Sequence, residues 1–133
     1  MTPTEFINSL YLGDRGCTLL EIDTKASQVR VHVDCLSRVR EASGLWNYYT
    51  KEDVENAAIV FDEVSFLEVR SQGALPNDFI HELTVVGTEN GKTTVEIRIG
   101  CAEPSGSSEA YFRISFASVF VVDPRRSGER ITT

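Results

Sequence analysis

The sequence predicts a mainly β domain of the α+β kind, with about six antiparallel strands and one short N-terminal helix. Three observations carry this. Thr93, Val95, Ile97, Ile99 and Cys101 alternate with Thr94, Glu96 and Arg98, the period of a half-buried strand. Similar alternation recurs elsewhere in the chain. The breaks between these runs are short and rich in Gly, Asn and Pro, so neighbouring strands pair antiparallel. A curved sheet, a sandwich or a partly open barrel fits that pattern. With 133 residues, 41% hydrophobic and 25% charged, the chain is ordinary globular protein and needs no metal or disulfide to fold. Residues 1–124 are expected to form one β-rich domain, followed by a frayed polar tail at 125–133.

The elements follow in order. Residues 3–11 read as the helix. Pro3 suits its first turn, Thr2 or Thr4 caps it, and Phe6, Ile7, Leu10 and Tyr11 form one apolar stripe. Gly13-Asp14-Arg15-Gly16 is turn chemistry. Leu20 and Ile22 alternate with Glu21 and Asp23. After a polar break, Val29, Val31, Val33 and Cys35 alternate with Arg30, His32 and Asp34. These two runs predict a hairpin with Arg30, His32 and Asp34 on its outer face. Residues 37–56 are irregular.

From Ala57 to Arg70 the apolar positions change phase, from Ile59 and Phe61 to Val64 and Phe66 and back to Leu67 and Val69. A bulge or a break between strands is expected there. Phe79 to Val86 is a further strand, and Thr88-Glu89-Asn90-Gly91 carries an Asn-Gly hairpin signal. Phe112, Ile114, Phe116, Phe120 and Val122 are expected on one face of the last strand. Both faces turn apolar from Val119 to Val122, which implies cover on both sides.

Twenty acidic and 13 basic side chains give a net charge of -7, which removes the electrostatic attraction that nucleic acid requires. No apolar run is long enough to span a membrane as a helix. The first residues lack the blocks of a signal peptide, so a cytoplasmic location is expected. Cys17, Cys35 and Cys101 are an odd count without CxxC spacing, which suggests free thiols and gives a zinc site with His32 and His81 no local support. No cofactor or metal is expected.

Four groups of residues are candidate sites, one of them Asn77 and Asp78 in Leu75-Pro76-Asn77-Asp78, which either bind a ligand or metal or cap the following turn. Asp14 and Arg15, flanked by glycines, offer a carboxylate and a guanidinium to a ligand, although the same pattern serves an ordinary turn. His32 and Asp34 share a face, and with His81 they would make an acid–base set. The alternative is an exposed polar row on a sheet, with His81 half-buried beside Leu83 and Val85. Trp46, Tyr48 and Tyr49, followed by Glu52 and Asp53, form an aromatic patch with an acidic rim. That combination either closes the edge of a small core or anchors a basic protein partner.

Leu10-Tyr11-Leu12-Gly13-Asp14-Arg15-Gly16-Cys17, Trp46-Asn47-Tyr48-Tyr49 and Leu75-Pro76-Asn77-Asp78, in this order, resemble a group of small bacterial domains of unknown function. Some of these are similar to immunity proteins of polymorphic-toxin systems. The resemblance implies a non-enzymatic cytoplasmic binder that neutralises a toxin, and the acidic charge is compatible with a basic one. Two other functions are compatible with the residues. One is a small-ligand binder or hydrolase-type enzyme using Asp14, Arg15, His32, Asp34 and His81. The other is a structural homo-oligomer joined through the apolar strands near Val119–Val122 and Ala57–Phe61.

Overall fold

A computed structural model describes residues 1–39, 52–102, 108–126 and 128–133. Helix α1 spans Pro3–Asn8 and closes with a capping box: the Glu5 amide donates to Thr2 Oγ1 and the Thr2 amide donates to Glu5 Oε2. Phe6 and Ile7 are buried. The helix is shorter than its apolar stripe suggests. Ser9 ends it, and Leu10 and Tyr11 leave it to pair as strand β1 (Leu10–Tyr11).

Ten further strands follow among the described residues: β2 (Cys17–Asp23), β3 (Gln28–Val33), β4 (Cys35–Arg38), β5 (Val54–Glu55), β6 (Ala58–Asp62), β7 (Phe66–Arg70), β8 (Ile80–Glu89), β9 (Lys92–Gly100), β10 (Glu109–Phe116) and β11 (Ser118–Val122). They form three antiparallel sheets, ordered β11-β6-β3-β2, β7-β10-β9-β8 and β1-β4-β5. The strand number exceeds the expected six because several long apolar runs are cut into pieces that join different sheets.

The two four-stranded sheets pack face to face. Val29, Val31, Ile59, Phe61, Val119 and Val121 from one meet Val95, Ile97, Ile99, Phe112, Ile114 and Phe116 from the other in one apolar cluster. Phe61 and Phe116 meet at its centre, with ring centroids 5.0 Å apart.

The phase change between Ala57 and Arg70 is a break between strands. β6 belongs to one sheet and β7 to the other, and Glu63 turns the corner with φ 51°. β10 and β11 part at the adjacent corner, where the Ala117 amide donates to the Asp62 carbonyl at 3.2 Å. A two-stranded ribbon therefore bends from one sheet into the other. The second corner corrects the expected face of the last strand. Phe116 points into the core, but Phe120 and Val122 lie on the outer face with Ala58 and Val60.

The tail is not frayed. Ile131 exchanges both backbone hydrogen bonds with Val121, at 2.9 and 3.0 Å. Arg130 covers the Phe120 ring, which supplies the cover expected at this strand. β6 is an inner strand, flanked by β3 and β11.

Elsewhere the local chemistry reads as expected. β2 and β3 form the hairpin, and Asn90 and Gly91 both take positive φ in the two-residue turn between β8 and β9.

Candidate functional site

The Asp14–Arg15 turn is stitched into the fold. Asp14 is exposed with φ 56°. Arg15 Nη2 donates to Ser37 Oγ at 3.0 Å, and the Arg15 carbonyl accepts from the Ile80 amide at 2.9 Å. The Cys17 amide donates to the Asp78 carbonyl. The turn thus fastens the start of β2 to the start of β8.

Asp34 serves the same junction. Its Oδ1 accepts from the backbone amides of Gly16 and Cys35, at 3.1 and 2.7 Å. A carboxylate holding two amides is a local brace for the step from β3 into β4.

The structure does not bring the two histidines together. His32 lies on β3 and His81 on β8, in different sheets. Each has its own glutamate. His32 Nε2 bonds Glu21 Oε1, and Glu21 also faces Arg30. Arg30 in turn donates to Asp23 Oδ2 and to Gln28. The row Arg30–His32 is therefore one side of a polar network across the β2–β3 hairpin.

His81 is not half-buried beside Leu83 and Val85. Its side chain is 49% exposed, because the register shift between Ile80 and Glu82 turns it outward. His81 Nδ1 bonds Glu109 Oε2 at 2.6 Å, and Arg98 approaches the other Glu109 oxygen at 3.4 Å. These two donors, His81 first, hold the Glu109 carboxyl below its ordinary range. Gly100 makes room for the ring: a Cβ there would stand 2.9 Å from His81 Nε2. Sequence reasoning missed both glutamates. Glu21 sits diagonally across the hairpin from His32, and that placement is visible only once the register is known.

Trp46, Tyr48 and Tyr49 lie outside the described residues. Glu52 and Asp53, which end that connection, are described. They lead into β5, which pairs with β4. Asp53, Glu55 and Asp34 are exposed and surround Cys35 on this small ribbon. Burial pushes the Cys35 thiol above its ordinary value; Arg15 opposes this, and the three carboxylates reinforce it.

Beside the ribbon lies a cleft of about 230 Å³ lined by Leu36, Arg38, Asp53, Asp123, Arg125 and Arg126, among others. Arg38 is 3% exposed; it lies over the Phe6 ring, donates to Ser9 Oγ and reaches the Thr133 carbonyl. Asp123 is buried and accepts from the Arg125 amide and guanidinium, with the amide the main cause of its lowered pKa. Arg125 also reaches the Asp53 carbonyl at 3.4 Å. The arrangement joins a ring of fixed charges to the acidic ribbon.

Among the described residues, no group of three or more His, Cys, Asp or Glu is placed to hold a metal ion, and the three cysteines are free thiols. No helix among them is long and apolar enough to cross a membrane. Neither the curated proteins nor the solved structures contain a match to this chain. One family model does match, over residues 1–133, and the chain accordingly belongs to the family of unknown function DUF6258.

Proposed function

We propose that this domain is a non-enzymatic protein-binding module whose contact surface is the β4–β5 ribbon and the connection that carries Trp46, Tyr48, Tyr49, Glu52 and Asp53. The observation that supports this reading is the gathering of Asp34, Asp53 and Glu55 around Cys35, at the foot of the connection that carries the aromatic residues. Aromatic anchors beside an acidic rim suit a basic partner, with charge speeding the encounter. The net charge of -7 acts in the same direction. In its specific form the proposal is an immunity-like cytoplasmic inhibitor of a basic bacterial toxin. The rival reading, an acid–base or ligand site, needs Asp14, Arg15, His32, Asp34 and His81 to converge. Asp14, Arg15 and Asp34 share one junction, where Arg15 and Asp34 hold structural partners, but His32 and His81 lie in different sheets, each with its own glutamate.

The test is capture from host lysate by three forms of the domain: wild type, Trp46→Ala/Tyr48→Ala, and Asp53→Lys/Glu55→Lys. All three must first show the same folded circular dichroism spectrum. A basic protein held by the wild type, lost by both variants and released by moderate salt supports the proposal. Equal capture by all three moves the binding surface elsewhere.

A further inference from the structure

Among the described residues, the sandwich is open along one side. β2 and β7 are the edge strands there, and their core-facing side chains are poorly covered. Ile22 and Val69 remain 56% and 44% exposed, and with Leu20, Leu67 and Phe112 they line an apolar groove of about 270 Å³. Edges of this kind are normally blunted by bulges. β2 has a register shift between Cys17 and Leu19, and β8, the opposite edge of the second sheet, has two. β7 has none: it pairs with β10 in unbroken register over Phe66–Arg70.

The direction of the free backbone groups on β7 follows from its neighbours. The Gly100 amide donates to Phe79 and its carbonyl accepts from Asp78, so the backbone of Gly100 faces β8. Antiparallel strands alternate the side to which successive residues turn their amide and carbonyl. Ile99, Ile97 and Val95 therefore bond to β10, through their partners Ala110, Phe112 and Ile114. Tyr111, Arg113 and Ser115 then bond to β7, and the Ser65 amide does donate to the Ser115 carbonyl. Their partners Arg70, Glu68 and Phe66 are used up inside the sheet. Leu67 and Val69 turn their amides and carbonyls to the open edge.

The charges on the outer face select the register of a strand added there. Arg113 is 2.9 Å from Glu96 and stands opposite Glu68 across the β10–β7 ladder, so the signs alternate along this row. In the next row Arg98 pairs with Glu82 at 3.0 Å, and Arg98 and Arg70 both lie over the Tyr111 ring. A second copy of β7 whose two-fold axis passes through Glu68 would oppose two glutamates, which is unfavourable. An axis through Leu67 would set Glu68 against Phe66. An axis through Val69 sets Glu68 against Arg70 of the second copy, twice, and continues the alternation of sign across the joint. That axis also lets Val69 and its symmetry mate exchange both backbone hydrogen bonds, since its polar groups face outward.

We infer that the chain forms a two-fold homodimer by antiparallel pairing of β7 with β7 about Val69. The two outer sheets then run on as one eight-stranded sheet. This does not rest on the binding function proposed above, which uses a different surface.

Sedimentation as a function of concentration tests it, on the full chain. The wild type is expected to dimerise reversibly. Glu68→Arg or Arg70→Glu alone replaces two attractive pairs by two repulsive ones and should weaken the dimer about tenfold or more. The double variant Glu68→Arg/Arg70→Glu restores opposite signs and should recover most of the loss. Val69→Pro removes an outward-facing amide without touching the β10 ladder, so it should give a folded monomer. Circular dichroism confirms the fold of each. A wild type that stays monomeric at every concentration overturns the inference. So does a dimer that tolerates Val69→Pro or responds identically to the single and double charge exchanges.

Discussion

Arg130 lies over the ring of Phe120, its guanidinium carbon 4.3 Å from the ring centroid. This contact holds the last residues against the sheet. The outer faces of β6 and β11 carry an apolar strip of Ala58, Val60, Phe120 and Val122 that would otherwise face water. Residues 128–130 line the same hollow as that strip, and Ile131 is clipped to Val121.

Removing residues 128–133 should therefore destabilise the domain rather than trim a passive tail. The loss comprises the Ile131 packing, two backbone hydrogen bonds and the cover over Phe120, together about 2–3 kcal/mol. Urea denaturation should show a lower midpoint. Dye binding to the folded protein should rise, because Phe120 becomes accessible. An unchanged midpoint would mean that the tail contributes nothing to the fold.

The Phe61–Phe116 contact should be far more costly to disturb. Both rings are fully buried at the meeting of the two sheets. Phe61→Ala or Phe116→Ala is expected to lose about 3–5 kcal/mol, and Phe116→Leu clearly less, because less cavity is left. Thermal unfolding followed by circular dichroism measures the order of the three.

Acid should destabilise the domain through named carboxylates. Backbone donation from Ala26 lowers the Asp23 pKa, His81 lowers that of Glu109, and the Arg125 amide lowers that of Asp123. A carboxyl whose folded pKa lies below its unfolded value stabilises the fold at higher pH. That contribution is complete above the ordinary values of 3.8 for the aspartates and 4.5 for Glu109, and is lost as pH falls through the lower folded values. The melting temperature should accordingly fall as pH drops below about 4.5. Asp123→Asn should flatten part of the fall. A melting temperature that rose on acidification would contradict this account.

Gly100→Ala separates the histidine contact from the sheet. The new Cβ would press on His81, whose exposed ring can swing away. The fold should survive, but Glu109 loses the hydrogen bond that chiefly lowers its pKa. Carboxyl carbon NMR should show its titration moving up towards the ordinary glutamate range. No movement would mean that Arg98 holds Glu109 unaided.

Much of the fold is legible in the residues because its signals are local. The alternation of Thr93–Cys101, the Asn90-Gly91 turn and the Thr2–Glu5 cap each need only neighbours in sequence. The phase change after Phe61 showed that something breaks, and a corner between sheets realises it. The face of Phe120 was misread because a second corner, at Ala117, has no glycine or proline to announce it. The tail looked frayed because its apolar anchor is a lone isoleucine among charges. The site was less legible. Asp14, Arg15, His32 and His81 were visible, but their partners Ser37, Glu21 and Glu109 are set by strand register, which composition does not reveal. Trp46, Tyr48 and Tyr49 fall outside the described residues.

The bent ribbon that carries β6 and β11 into β7 and β10 has a consequence for how the protein comes apart. Each layer owns half of the same two chain segments, 58–70 and 109–122, so neither can peel away while the other stays whole. Amides of Ile59 and Phe120 should lose their protection from solvent exchange in the same event as those of Ile114 and Val95. The domain would then open as one cooperative unit, without a half-open form in which one sheet survives.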